Sequence, residues 1–512
     1  MSPVPPPPAP VAAPPSNAAV RKTTIDLTST AERAQVAAAD ATSLFVNCHL
    51  VAPPCDDAER KPIDVVVVLD RSGSMAGEKL TLCKKTLDFL AQQLGPQDRV
   101  ALITYDTHVR TDVKLTKMSA HGKVLLANKV AAVTAGSMTN LSGGLLAGIE
   151  EIQTPRRADN DEPNPVQSVL LLTDGQANEG ITTADGLAKM LAGVLAPTVS
   201  LHTFGYGSDH DATLLGRLAD LGRGSYYFVQ NVDRVALAFA DCLGGLLSVV
   251  AQNIKVEVVA APGVTIAAVK TKRPVAVVTD HVHMEVEMGD LFADETRDLL
   301  VHVTLQPRAT PTTNALDTVE LVEFRVRYAN VLTSSLDKAA STVSIQRPVT
   351  VTDHALDEWV MLQKQRVEAA EAIETAQEHA ARGDYMQSRE VLQRRVASMQ
   401  SHAAAMSSEG QTKLSYMLND LAECQSNVAN ADIYRMRGAG RMQQKMQTTW
   451  MQRANDIEIN ESELDDEECA KPSGLNMFAA PQAAPAAPVG FSAAAPRNSA
   501  QRSMMKKAFN LK

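Results

Sequence analysis

The residues best suited to chemistry are oxygen-bearing side chains that follow a run of valines. The stretch Asp64 to Met75 reads D-V-V-V-V-L-D-R-S-G-S-M. Its β-branched run predicts a strand buried on both faces of a parallel sheet, with Asp70 at the end of the strand. Ser72 and Ser74 alternate with an arginine and a glycine, so a tight turn can direct two hydroxyls and one carboxylate at the same small volume. The stretch is therefore a candidate site for a hard cation.

Two further stretches offer oxygen atoms that can join this cluster. Asp174 follows a second buried apolar run, Val169 to Leu172, in the sequence L-L-L-T-D-G. The polar loop Gly136 to Gly144 reads G-S-M-T-N-L-S-G-G, opens a helix and offers the Thr139 hydroxyl. Because ligands of open parallel sheets bind at the carboxyl ends of the strands, five oxygen donors from three loops can converge there. Such donors favour Mg²⁺ over Ca²⁺ and leave the metal able to accept a carboxylate from a partner protein.

The pattern from residue 61 to residue 251 alternates apolar strands with helical periods. The predicted strands are Val65 to Leu69, Arg99 to Tyr105, Gln167 to Thr173 and Thr198 to Phe204. The predicted helices are Glu78 to Leu94, Ala120 to Val133, Thr183 to Leu195 and Asp211 to Leu221. This alternation predicts a doubly wound, Rossmann-like α/β domain with a parallel sheet and helices on both faces.

The sequence on either side of that domain has a different character. Residues 1–40 are rich in Pro, Ala and Thr, which predicts disorder. Residues 41–60 contain one candidate strand, Thr42 to Val51. Residues 252–352 alternate short strands with turns and have no helical period, which predicts an antiparallel β-sandwich. We expect the lone strand to pair with that sandwich, which would make the sandwich discontinuous around the α/β domain.

Two more regions complete the chain. Residues 353–453 have helical periodicity and predict a helical domain. Residues 454–512 are first acidic, then Ala/Pro-rich and finally basic, which predicts a disordered tail. The start of the sequence lacks the features of a signal peptide, and no uncharged apolar run is long enough to span a bilayer. We therefore expect a cytoplasmic protein.

Composition disfavours several functions. The 512 residues carry a net charge of -10 and only 4% aromatic side chains, so neither a basic surface nor a base-stacking surface for nucleic acid is indicated. The six cysteines include no C-x-x-C pair, which argues against a disulfide framework and against a zinc knuckle. Reduced thiols are the simplest interpretation.

The quoted motifs resemble a known metal site. D-R-S-G-S at Asp70 to Ser74, Thr139 in its loop and Asp174 in T-D-G look like the metal-ion-dependent adhesion site of von Willebrand factor A domains, over about Pro62 to Val250. The resemblance implies Mg²⁺, with Mn²⁺ or Ca²⁺ as substitutes. The direct ligands would be Ser72, Ser74 and Thr139, and the ligands acting through water would be Asp70 and Asp174. The loop reads G-S-M-T-N where the family usually has G-G-T, so Ser137 is an alternative to Thr139.

The resemblance also implies a kind of partner. A protein partner would supply a carboxylate to the metal and would contact the residues around it. These surrounding residues are Arg71, Met75, Asn140 and Gly175.

Downstream sequence extends the resemblance. The stretch Gly289 to Val303 and the helical stretch H-A-A-R-G-D-Y-M-Q-S-R-E-V-L are similar to the last part of intracellular von Willebrand A proteins. Relatives of those proteins include plant and protist ubiquitin-ligase components and intein-associated (Hint) domains. Those ligases carry a RING or U-box, whereas this chain has no Cys/His spacing for a RING. Ligase activity of its own is therefore not expected.

Other polar groups give weaker signals. His281 and His283 would share one face of a strand, which permits zinc, but no third ligand is evident. In the G-S-D-H-D sequence, Ser208 or Asp209 is expected to cap the following helix, and His210 or Asp209 would be the only general base available to a hydrolase.

Three functions follow in order of preference. The first is a non-enzymatic, cytoplasmic, metal-dependent protein-binding scaffold. The second is a non-catalytic substrate receptor or regulatory part of a ubiquitin-ligase complex. The third is a metal-assisted hydrolase that uses the same crevice.

Overall fold

The chain begins with strands that lie outside the α/β domain. The computed structural model describes residues 22–56, 59–154, 162–174, 177–208, 210–229, 235–308, 318–404, 406–453 and 497–509. The first two strands are β1 (Asp26–Ala31) and β2 (Thr42–Val51), which pair with each other in antiparallel fashion. The α/β domain follows them directly.

The α/β domain is a six-stranded sheet with helices on both faces. Its strands are β3 (Ile63–Asp70), β4 (Arg99–Tyr105), β5 (Val109–Lys117), β6 (Val166–Thr173), β7 (Val199–Tyr206) and β8 (Arg223–Val229). Its helices are α1 (Glu78–Gln93), α2 (Ala120–Ala132), α3 (Leu141–Gln153), α4 (Ala184–Val194), α5 (Ala212–Leu221) and α6 (Val235–Leu247). The strand order is β5-β4-β3-β6-β7-β8, and every neighbouring pair is parallel except β4 with β5. The predicted Rossmann-like fold is confirmed, with two edge strands, β5 and β8, that were not predicted.

Strand β3 lies in the middle of this sheet, and all its residues are buried. Alternate side chains enter the two apolar cores, with Val65 and Val67 on one face and Val66 and Val68 on the other. A strand covered on both faces needs an unbroken apolar run, which explains why the valines do not alternate with polar residues. The strand therefore delivers its last residue, Asp70, to the crevice at the carboxyl edge of the sheet.

A β-sandwich follows the α/β domain. Its further strands are β9 (Val249–Ala260), β10 (Val264–Lys270), β11 (Val275–Thr279), β12 (His283–Phe292), β13 (Thr296–Leu305), β14 (Thr318–Asn330) and β15 (Ser335–Gln346). The two sheets have the orders β1-β2-β13-β10 and β11-β12-β9-β14-β15, and their apolar residues form one shared core. Strand β2 pairs with β13 along its whole length, from Thr42 opposite Leu305 to Val51 opposite Thr296. The α/β domain is thus inserted into the sandwich.

The structure corrects the expectation that residues 1–40 are disordered. Residues 1–21 lie outside the described residues, but β1 is formed and pairs with β2 from Asp26 opposite Val51 to Ala31 opposite Val46. The sequence D-L-T-S-T-A has little apolar alternation, so its own pattern does not mark a strand. The ladder provided by β2 determines its conformation, because strand preference depends strongly on tertiary context.

The helical region packs on the sandwich and on the α/β domain. Its helices are α7 (Glu358–Ala381), α8 (Tyr385–Ala403), α9 (Ser408–Asn427), the short α10 (Ala431–Ile433) and α11 (Ala439–Met451), with a π-helical turn at Tyr434–Gly438 before α11. The chain reverses between α7 and α8 at Gly383, where φ is +85°, and Asp384 caps α8 by accepting from the Gln387 N–H. Helices α7 and α8 therefore form a hairpin within residues 353–453, where helical periodicity predicts a helical domain.

Buried ion pairs join the helical region to the sandwich, at a place we call the junction. Arg453 donates from Nε to Glu295 Oε1 and from Nη2 to Glu295 Oε2, each over 2.9 Å. Arg297 donates to the same Glu295 Oε1 over 2.6 Å and is 1% exposed. The Trp359 indole N–H donates to Asp298 Oδ1 over 2.8 Å. Both carboxylates of the junction therefore accept a hydrogen bond from the helical region.

The expected disordered tail also needs a correction. Residues 454–496 lie outside the described residues, but helix α12 (Ser499–Phe509) is formed and packs on α6. The buried apolar residues of α12 lie on one face of the sequence S-A-Q-R-S-M-M-K-K-A-F. The helix was not predicted, because the basic residues of this stretch favour a disordered tail. Among the described helices, none combines the length and apolarity needed to cross a bilayer.

Candidate metal-binding site

The carboxylate of Asp70 is held on both oxygens. Its Oδ1 accepts from the Ser72 backbone N–H over 2.8 Å, and its Oδ2 accepts from the Thr173 hydroxyl over 2.6 Å. Ser72 follows β3 in a tight turn, and Thr173 ends the neighbouring strand β6. The side chain of Asp70 is completely buried and therefore has one fixed orientation at the end of the sheet.

A chain of hydrogen bonds connects the second carboxylate to the serines. The Ser74 hydroxyl donates to Asp174 Oδ1 over 2.8 Å, and the Ser72 and Ser74 hydroxyl oxygens are 3.1 Å apart. Asp174 and Ser72 are buried, whereas Ser74 is exposed. The structure thus brings four of the five predicted ligands together, in a cluster that opens to solvent at Ser74.

The third loop lies directly beside the cluster. The Gly73 N–H donates to the Ser137 carbonyl over 2.9 Å, and the Thr139 N–H donates to Asn178 Oδ1 over 2.7 Å. Within the described residues, the Thr139 hydroxyl makes no hydrogen bond. Its residue is 3% exposed, whereas Ser137 is exposed. Thr139 is therefore adjacent to the cluster and retains an uncommitted oxygen, while no direct contact between its hydroxyl and the carboxylates is present.

The residues that we expected to contact a partner differ in their burial. Met75 is completely buried in the α/β core, contrary to our expectation, because its turn points it under α1. Arg71 is also turned inward, since its Nη2 lies 2.9 Å from Asp106 Oδ2 and its side chain is 11% exposed. Asn140 is partly buried and caps α3 by accepting from the Gly143 N–H over 2.9 Å. Gly175 lies outside the described residues.

Three residues at the site were missed by sequence reasoning. Lys79, in the first turn of α1, donates from Nζ to Asp174 Oδ2. Asp106 binds Arg71 and approaches Gly136 so closely that an added Cβ there would lie 1.9 Å from its Oδ2. Asn178 bridges the loop after β6 to Thr139. Only Lys79 had a usable signal, its position at the start of a helix predicted to follow the serine turn.

The cluster has more negative than positive charge. Burial raises the pKa of Asp70, and the neighbouring Asp174 carboxylate contributes in the same direction. Lys79, whose side chain is 28% exposed, pairs with Asp174. No group of three or more His, Cys, Asp or Glu suited to a metal is present in the described ranges, so the donor set consists of paired carboxylates and hydroxyls. Such oxygen donors fit a hard divalent cation.

The remaining candidate groups are occupied by structural contacts. His210 Nδ1 lies 2.7 Å from the Gly207 carbonyl and must donate to it, so Nε2, 2.6 Å from the Tyr226 hydroxyl, accepts. Asp211, and not Ser208, caps α5 by accepting from the Leu214 N–H, because the helix begins one residue later than expected. Asp209 lies outside the described residues. His210 is thus buried with both ring nitrogens engaged.

The two sandwich histidines do not share a strand face as expected. His281 lies in the turn before β12 with a positive φ of +55°, and its Nδ1 contacts the Ile266 carbonyl at 3.1 Å. His283 begins β12, with its Nε2 3.6 Å from Glu257 Oε2. The turn rotates the first ring away from the strand, so the pair does not form a zinc site.

Comparisons with known proteins identify the domain that contains these loops. Residues 64–240 match the family model of the von Willebrand factor type A domain. The chain is similar to the E3 ubiquitin-protein ligase WAV3 of Arabidopsis thaliana, at 29% identity over 259 residues, which cover 50% of this chain and 32% of that protein. The first curated relatives are matched over 32%, 60% and 42% of their own lengths, so the chain spans at most about three fifths of any of them.

Solved structures show the likeness of fold. The von Willebrand factor type A protein from Catenulispora acidiphila superposes with a TM-score of 0.60 at 14% identity, covering 81% of this chain and 98% of that one. The ArnB paralog VWA2 from Sulfolobus acidocaldarius gives a TM-score of 0.53 at 14% identity, covering 81% and 99%. Both likenesses extend well beyond the α/β part. The chain thus contains a von Willebrand factor type A domain, which includes the loops that carry the candidate site.

Proposed function

We propose that this chain is a protein-interaction module that binds a divalent cation, preferably Mg²⁺, beside Asp70 and Asp174 and captures a partner through the partner's carboxylate. The observation that carries the proposal is the cluster itself. Two fully buried carboxylates and two serine hydroxyls are linked by hydrogen bonds and open to solvent at Ser74. Buried like charges this close favour a cation between them.

The chain's own residues would prepare the site before the cation arrives. Ser72, Ser74 and Thr139 would hold it directly, while Asp70 and Asp174 would bind its water molecules. The Ser72 N–H and the Thr173 hydroxyl already fix the orientation of Asp70. Once bound, the cation would supply an electrophilic centre that attracts a carboxylate from the partner.

A non-catalytic role is part of the proposal. A hydrolase needs a general base within hydrogen-bonding reach of its substrate. His210, the candidate for that role, is 8% exposed and has both ring nitrogens in hydrogen bonds. We also place the module in the cytoplasm, because the five cysteines among the described residues are all free thiols.

Capture from native lysate with Mg²⁺ and then with chelator tests this function. We expect partners to be retained by the wild-type chain with Mg²⁺, to be released by chelator, and to be absent with the Asp70→Ala variant. Asp185→Ala is the matched control, because the Asp185 side chain is 79% exposed on α4 and pairs with Arg217 instead of with a predicted ligand. Equal metal affinity and equal capture by the Asp70→Ala variant would overturn the proposal.

A role within a ubiquitin-ligase complex is a second candidate. The observation that favours it is the likeness to WAV3, which covers half of this chain and is named as a ligase. This chain has no Cys/His spacing for a RING, so another subunit would supply catalysis. Mild lysis followed by affinity purification should recover ligase subunits, and their consistent absence would exclude this role.

A further inference from the structure

Helix α6 has an unusual amount of apolar surface for a helix at the outside of an α/β domain. Its sequence V-A-L-A-F-A-D-C-L-G-G-L-L contains a single charge, and all but one of its residues are buried. The sheet side is covered by contacts such as the stacking of Phe239 on Phe204, with ring centroids 4.4 Å apart. The other side needs a cover, and α12 provides it.

The contact between α12 and α6 combines close packing with an apolar core. Met505 and Ala508 are 0% and 1% exposed and belong to the same core as Leu243. A Cβ added to Gly244 would lie 2.6 Å from the Cα of Gln501, and its three nearest atoms would all belong to α12. Gly244 therefore permits α12 to approach the backbone of α6.

An ion pair and two hydrogen bonds fix the N-terminal end of α12. Arg497 Nε donates to Asp241 Oδ1 over 2.6 Å, and Asp241 is completely buried. The Asn498 amide donates to the Ser248 hydroxyl over 2.8 Å, and its Oδ1 caps α12 by accepting from the Gln501 N–H over 2.9 Å. A buried carboxylate paired with an arginine from a separate segment gives the contact charge specificity.

The segment that connects α12 to the helical region is long enough for α12 to dock on α6 of the same chain or of a second copy of the chain. The contacts of α12 are concentrated on α6, and the 43 residues 454–496 separate it from the helical region. Forty-three residues can span up to about 150 Å, so the α6 surface of a neighbouring copy is within reach. Lys506 and Lys507 lie on the exposed side of α12, and the opposite, apolar side is the one that docks on α6.

We propose that the outer face of α6 is a docking site for an amphipathic helix, and that α12 is a tethered, exchangeable occupant that a second copy of the chain can supply in trans. The docked helix is recognised by its arginine, which pairs with Asp241, and by the close approach of its backbone to Gly244. The Met505 and Ala508 side chains supply the apolar contact. Docking by its own α12 is favoured because the tether gives an effective concentration in the millimolar range.

The test uses the full chain with a protease recognition sequence placed between residues 470 and 490. After cleavage, a fluorescent peptide of residues 497–512 is added, and its uptake is followed by anisotropy and native mass spectrometry. We expect the cut protein to exchange its own fragment for the peptide. The uncut protein should bind the same peptide at least tenfold more weakly, because the tethered helix competes.

Matched variants separate recognition from general packing. The Arg497→Ala peptide should bind at least tenfold more weakly, whereas the Lys507→Ala peptide should bind like the original. A Gly244→Ala chain should lose uptake at least tenfold, and Gly193→Ala, with no atom within 4 Å of the added Cβ, should not. Circular dichroism shows whether each chain remains folded. Failure of the cut fragment to exchange, or equal binding of the Arg497→Ala peptide, would make α12 an ordinary core helix and overturn the proposal.

Discussion

Two buried carboxylates in this chain, Asp70 at the candidate metal-binding site and Glu295 at the junction, have opposite electrostatic surroundings. Burial raises the pKa of Asp70, and the nearby Asp174 carboxylate adds to that rise. Burial also acts to raise the pKa of Glu295, but the charges of Arg297 and Arg453 outweigh it and hold that pKa below its ordinary value. Both residues are buried, at 0% and 7% exposed, so the main difference between them lies in their charged neighbours.

The junction is a structural charge cluster, whereas the cluster at the end of β3 is a candidate for cation binding. At the junction, the chain provides the counter-charges itself, and the ion pairs fasten the helical region to the sandwich. At the candidate metal-binding site, the ammonium of Lys79 pairs with Asp174. The Asp70 carboxylate accepts from a backbone N–H and from a hydroxyl, which carry no charge. A buried charge that its own chain leaves only partly compensated favours a cation from solution.

The largest expected effect comes from breaking the junction. Arg453→Met should lower the free energy of unfolding by about 3–5 kcal/mol, because it leaves Glu295 buried without its bidentate partner. Urea unfolding followed by fluorescence reports it, since both tryptophans, Trp359 and Trp450, lie in the helical region. Arg394→Met is the control, because that arginine is 67% exposed and should change stability little. Equal effects of the two variants would show that Arg453 contributes no more to stability than an exposed arginine does.

The buried imidazole of His202, on β7 of the α/β domain, should make the stability of the protein sensitive to acid. Burial, assisted by the charge of Arg453, lowers the pKa of His202 from 6.5 to about 3. Because the pKa of this histidine is lower in the folded chain than in the unfolded chain, protonation favours the unfolded state. The free energy of unfolding should therefore fall as the pH drops below about 6.5. Between pH 6.5 and 4, His202→Asn should remove about 3 kcal/mol of this loss. The measurement is urea stability against pH, with exposed His121→Asn as the control, whose slope should match that of the wild type.

Much of the cluster of carboxylates and hydroxyls at the end of the sheet was predictable because its signals are local. The valine run, the aspartate at its end and the alternating serines lie within one short stretch, and strand β3 extends only slightly beyond the predicted Val65 to Leu69. Asp174 follows from the same rule applied to β6. Turn geometry was not predictable in this way, since Met75 and Arg71 both turn inward.

Elements that depend on distant partners could not be predicted from local pattern. Strand β1 has a weak strand sequence and is formed through its ladder with β2. Helix α12 has a basic, methionine-containing sequence whose apolar face is recognisable only once α6 is known to need a cover. The bond from Lys79 to Asp174 depends on the direction in which α1 leaves the turn.

A smaller effect is expected from the metal-binding site, and it should depend on metal. At a Mg²⁺ concentration of 100 times the dissociation constant, the cation should stabilise the wild-type chain by about 2.7 kcal/mol. Asp70→Asn should abolish this gain, whereas Arg453→Met should keep it despite its lower baseline. Thermal unfolding with Mg²⁺ and with chelator measures both. A Mg²⁺ gain that survives Asp70→Asn would place the cation elsewhere.

The smallest expected effect sharpens the role of Lys79. Removing its ammonium with Lys79→Met should tighten Mg²⁺ binding by about tenfold, equivalent to about 1.4 kcal/mol, because Asp174 then has no internal cation. Calorimetric titration measures this change, and Lys85→Met, at an exposed position on the same helix, is the control. Weaker binding by the Lys79→Met variant would show that the lysine supports the site and does not compete for it.

The pairing of β2 with β13 has a consequence for synthesis on the ribosome. Their partners His49 and Asp298 are 249 residues apart, and the whole inserted domain emerges between them. At roughly 5–20 residues per second, β2 waits about 12–50 s for its second neighbour. The inserted domain can fold during that interval, and it brings the ends of the interrupted sheet together. The second edge of β2 therefore lacks its strand partner until β13 is made.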